Sequence, residues 1–73
     1  MGEGGEVARL GRSRYERVLI NAVSGRRLDL FGEPCTPVAM RGWSRVVFRR
    51  DVAGGTYTVP VDALVERLAD WER

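Results

Sequence analysis

The sequence predicts a small α+β domain: an antiparallel β-sheet of three to five strands covered by one C-terminal α-helix, with a flexible N-terminal tail. Three observations carry this. Between residues 15 and 59, short runs of β-branched and aromatic residues alternate with turns containing Gly or Pro. Residues 61–73 change to helical spacing: Val61, Leu64, Val65, Leu68 and Trp71 follow one another at intervals of 3, 1, 3 and 3. Residues 1–14 keep neither period, and Gly2, Gly4, Gly5 and Gly11 dilute their few apolar side chains. At 73 residues the chain has room for one domain, expected over 15–73.

The elements follow in order. The tail, 1–14, runs from acidic (Glu3, Glu6) to basic (Arg9, Arg12, Arg14). It reads as a solvated terminus, or as a segment that orders on a partner with Val7 and Leu10 as anchors and the Arg residues as ion-pairing groups. Tyr15–Val23 reads as a strand with Val18, Ile20 and Ala22 on one face, and Arg26–Phe31 as a second strand. Ser24-Gly25 lies between them, so 15–31 is expected to be a β-hairpin. Pro34 and Pro37 make 32–37 a loop or an edge strand, followed by a short strand at 38–40. Arg41-Gly42 marks a turn, Trp43–Arg50 a strand, Asp51–Gly55 a turn and Thr56–Val59 a last strand. Pro60 suits the start of the helix over 61–73. Asp62 near its start and Arg73 at its end match the helix dipole.

Composition narrows the function classes. The 12 basic residues exceed the 10 acidic ones by two, and every basic residue is Arg. With no His, the commonest general base and metal ligand is absent. Cys35 is alone, which excludes an internal disulfide and a Cys-rich zinc site, and it reads as a packing residue. Ser13, Ser24 and Ser44 have neither His nor Lys to activate them. Asp62, Glu66 and Asp70 share one helical face, and that face reads as solvated. Gly54-Gly55 lacks the pattern of a phosphate loop. The expectation is a protein without catalytic residues, metal or cofactor.

The basic stretch is more informative. Arg41, Arg45, Arg49 and Arg50 fall within ten residues that contain no acid, with Trp43 and Phe48 interleaved. Alternation puts Trp43, Arg45, Val47 and Arg49 on a common face. Arg binds carboxylate or phosphate through paired hydrogen bonds and stacks on flat groups, and Trp is a stacking platform. The opposing reading places Trp43 in the core and the Arg residues on a solvated outer face. The C-terminal helix carries more acid than base, so charge is distributed unevenly along the chain, which favours an oriented docking surface.

In build, the chain resembles very small phage-encoded proteins that bind host RNA polymerase and regulate transcription. The features shared are its size, its lack of catalytic groups, the amphipathic segment Val7, Ala8, Leu10 with Arg9 and Arg12, and a basic β module. The resemblance implies a non-enzymatic regulator of the inhibitor or antiterminator type. Its docking residues would be Val7, Arg9, Leu10, Arg12 and Arg14 in the tail and Arg41, Trp43, Arg45, Arg49 and Arg50 on the sheet. Two alternatives stand beside it: an RNA or single-stranded DNA-binding module using the Arg/Trp face, and a phage structural or toxin–antitoxin interaction domain. No run of 18 apolar residues is present, and Met1–Glu6 lack the apolar stretch of a signal peptide. The expected state is a cytoplasmic monomer with a protein partner, and with RNA within reach.

Overall fold

The computed structural model of the protein describes residues 13–73, and its first element is a helix where the sequence reads as a strand. Helix α1 spans Arg14–Val23. Ser13 caps it: the hydroxyl oxygen accepts the Glu16 backbone N–H at 3.0 Å, half of a capping box. Val18, Asn21 and Ala22 are buried on one stripe, while Ile20, expected to share a face with Val18 and Ala22, is 41% exposed. The hairpin expected over 15–31 therefore does not form. β-propensity is a weak preference that packing of a 3.6-period stripe overrides. Arg14, expected in the tail, is the first helical residue, and its guanidinium donates to the Val65 carbonyl at 3.4 Å. The other predicted tail residues, Val7, Arg9, Leu10 and Arg12, lie outside the described residues.

The sheet has four strands: β1 (Leu28–Leu30), β2 (Glu33–Arg41), β3 (Arg45–Arg50) and β4 (Thr56–Pro60). They pair antiparallel in the order β1-β2-β3-β4, an up-and-down meander. The β1–β2 turn places Phe31 and Gly32 at φ 54° and 82°, the left-handed pair that a two-residue hairpin turn requires. β2 is longer than the sequence suggests, because its two prolines sit where no ladder bond is lost inside the sheet. Pro34 lies opposite Asp51 beyond the end of β3 and still accepts that residue's N–H at 3.1 Å. Pro37 lies past the reach of β1, which pairs only with residues 33–35, and next to a bulge that leaves Val38 without a partner on β3.

The C-terminal helix forms in two pieces, α2 (Val61–Val65) and α3 (Leu68–Trp71), in place of one helix over 61–73. The tight bond from the Arg67 N–H to the Leu64 carbonyl, 2.9 Å, marks the break. The apolar stripe survives it: Val61, Leu64, Leu68 and Trp71 are buried, and Val65 is half-buried. They pack with Val18 and Ala22 against Leu28, Leu30, Cys35, Val46, Phe48 and Val59 of the sheet. Trp71 lies 5.8 Å from Phe48, ring centre to ring centre, and its indole N–H donates to the Arg26 carbonyl at 2.8 Å. The Glu72 carboxylate ties α1 down, accepting from Arg17 and from the buried Asn21 amide at 3.0 Å. All three helices cover one face of the sheet. Among the described residues no element covers the other face, so they form two layers.

Candidate docking face

Alternation along β3 decides which side chains reach the bare face. Val46 and Phe48 point into the core, so Arg45, Val47 and Arg49 point outward. The ladders set their neighbours. On β2, Arg41 stands opposite Arg45, Ala39 opposite Val47 and Thr36 opposite Arg49; on β4, Pro60, Thr58 and Thr56 complete the rows. Trp43 lies in the turn that joins Arg41 to Arg45 and is 73% exposed, so it does not enter the core.

The two ends of this face differ electrostatically. At the Trp43 end, two guanidiniums stand directly opposite each other, and among the described residues neither pairs with a carboxylate. Like charges in that position repel, and an anion bridging them relieves the repulsion. At the other end Asp51 neutralises the surface. It accepts the Thr36 hydroxyl at 2.9 Å and pairs with Arg27 at 3.0 Å and Arg49 at 3.5 Å. This acid lies one residue beyond the acid-free stretch 41–50. Asp51 follows the end of β3, and the bond from its N–H to the Pro34 carbonyl holds it beside Thr36 and Arg49.

Arg50 belongs to a different site. It projects to the helix side of the sheet, where its guanidinium makes two contacts of 3.1 Å with the Glu33 carboxylate and lies 4.8 Å from the centre of the Tyr57 ring. The Tyr57 hydroxyl donates to the same carboxylate at 2.8 Å. Arg50, then Tyr57, hold the Glu33 carboxyl below the ordinary carboxylate range, and the bond to Glu33 holds the Tyr57 hydroxyl above its ordinary value. Phe31 packs edge-on against Tyr57 at 5.0 Å. These contacts curl the sheet so that the β1–β2 turn reaches β4.

No family model, curated protein or solved structure matches this chain.

Of the five predicted sheet residues, the structure gathers Arg41, Trp43 and Arg45 at one end of the bare face. It keeps Arg49 on that face beside an acid, and commits Arg50 to an internal bond. Cys35 is fully buried; its Sγ lies 3.6 Å from the Glu33 carbonyl oxygen, and burial pushes the thiol above its ordinary value. Among the described residues no three His, Cys, Asp or Glu side chains gather as a metal-binding group, and no helix is long and apolar enough to cross a membrane.

Proposed function

We propose that the protein is a non-catalytic docking module of the cytoplasm whose bare sheet face binds an acidic surface of a protein of the transcription machinery. The observation that carries this is the cluster of Arg41, Arg45 and Trp43: two opposed guanidiniums without a carboxylate among the described residues, beside an indole held in solvent. Arg and Trp are the residue types most concentrated at the energetic centres of protein interfaces, and a carboxylate received between two guanidiniums makes short, charge-assisted hydrogen bonds. The transcription setting comes from the resemblance in build. A protein partner is favoured over nucleic acid by the small charge excess of two and by Asp51, which removes the far end of the face from phosphate binding.

The test is binding to purified RNA polymerase. The double substitution Arg41→Glu with Arg45→Glu changes only exposed side chains, so circular dichroism stays at the wild-type level. Affinity falls by about 10-fold or more if the face docks on acid. Trp43→Ala weakens binding by about 2 kcal/mol. Undiminished binding by the folded double variant overturns the reading. So does stronger retention of a single-stranded RNA than of the polymerase, with a steep loss on adding salt, which identifies Trp43 as a base-stacking platform.

A further inference from the structure

The two edges of the sheet are treated differently. The β1 edge is covered: Arg67 reaches from the α2–α3 turn and donates to the Asp29 carbonyl at 2.7 Å, while Trp71 and Arg73 engage the chain just before β1 through Arg26. Among the described residues the β4 edge has no such cover. Its outward groups follow from the ladder. The Arg50 N–H donates to the Gly55 carbonyl at 2.9 Å, and the Val61 N–H to the Ser44 carbonyl at 2.8 Å. In the single register between them, the bonded pairs are then Val46 with Val59 and Phe48 with Tyr57. The backbone groups of Thr56, Thr58 and Pro60 therefore point away from the sheet. Pro60 has no N–H, and its carbonyl begins α2 as the N-cap residue. Thr56 and Thr58 each present one N–H and one carbonyl that no other group of the described residues takes up.

The strand itself, Thr56–Pro60, carries no charged side chain, and the groove beside it is lined by uncharged residues. A groove of about 480 Å³, lined by Phe31, Tyr57, Thr58, Val59, Pro60 and Ala63, runs beside it, and Phe31 is 75% exposed. Natural edge strands are usually guarded by charge, by proline or by a covering element. Here β1 has the cover, and among the described residues β4 has only a proline at its last position.

We infer that β4 is a pairing edge for a second copy of this chain, antiparallel across a two-fold axis at Tyr57. In that register Thr56 of one copy stands opposite Thr58 of the other. Both outward donors and both outward acceptors of each edge are satisfied, giving four bonds between copies. A two-fold axis needs a self-complementary patch, and this edge supplies one: alternating donors and acceptors, and no charge to repel its own image. The two Phe31 side chains, each beside its own Tyr57, flank the axis. The result is one eight-stranded sheet whose two Arg/Trp clusters lie on its outer surface. This assembly departs from the monomer expected from the sequence. It uses a different surface from the docking face, so either can fail alone.

The test is sedimentation equilibrium of the full chain from micromolar to millimolar concentration. A monomer–dimer equilibrium is expected. Thr58→Pro removes an outward N–H that makes no bond to β3. By symmetry it deletes two of the four bonds, weakening association by about 10- to 100-fold. The double substitution Thr56→Lys with Thr58→Lys sets like charges opposite each other and gives a monomer; it stands as the second variant should the proline change disturb the fold. A wild-type chain that stays monomeric at millimolar concentration overturns the inference, as does an association that folded forms of both variants retain.

Discussion

At the scale of the residue, Glu33 joins three strands with one carboxylate. Its folded value lies below the ordinary 4.5, as does that of Glu72, which Arg17 and then Asn21 hold down. A depressed carboxyl adds stability that is present above the unfolded value and is lost as pH falls through the folded one. The urea midpoint is therefore level near neutrality and declines below about pH 4.5. Glu33→Gln lowers the midpoint at pH 7 and flattens the decline below it; an unchanged acid slope would show that Glu33 contributes nothing to it. Tyr57 acts in the opposite sense. Its hydroxyl is held above the ordinary 10, so its contribution is present below pH 10 and disappears as pH rises through the folded value. Tyr57→Phe keeps the packing against Phe31 and removes that alkaline loss. Arg50 stands out in the linear sequence only as one of the basic stretch, and nothing there joins it to Glu33 and Tyr57. Glu33, Arg50 and Tyr57 lie 17 and 24 positions apart and meet only because the sheet curls.

At the scale of the element, the C-terminal stripe and the turns after Arg41 and Arg50 are where the sequence is most legible, and α1 is where it misleads. Val18 and Ala22 follow the same spacing as Leu64 and Leu68, and Ser13 with Glu16 is a capping signature. The β-branched and aromatic residues of Tyr15–Val23 nevertheless read as a strand. Which signal wins is decided by the surface available to pack against, and that surface is built from residues far along the chain. Ser13→Ala removes the cap and costs about 1 kcal/mol, measurable as a lower midpoint in chemical denaturation. Leu64→Ala opens a hole in the shared core and costs about 2–5 kcal/mol, a large fraction of what so small a domain holds. A midpoint unmoved by the second change would mean that the helices do not carry the fold. β2 shows the converse difficulty. Proline excludes a central strand only when its missing N–H faces a neighbour, and the register that decides this is set by β1 and β3.

At the scale of the whole molecule, the two sheet faces divide the labour, and much of that division is legible in the sequence. Alternation alone separates Val46 and Phe48 from Arg45 and Arg49. Neither Asp51 nor the position of Trp43 in a turn follows from alternation, because both depend on where β3 begins and ends. The two tryptophans give the molecule a built-in contrast. Trp43 is mostly exposed and Trp71 is 2% exposed, so iodide quenches one component of the fluorescence and spares the other. Occupation of the docking face protects the first component; protection of neither would place the partner elsewhere. Cys35 offers a further consequence. It is the one thiol in the chain, it is 0% exposed, and it sits in β2 beneath the layer of helices. A disulfide reagent in solution can reach it only while the layers are apart. The rate of its modification, divided by that of an unhindered thiol, is then a running measure of how often the molecule breathes open, taken in native buffer without a label or a denaturant.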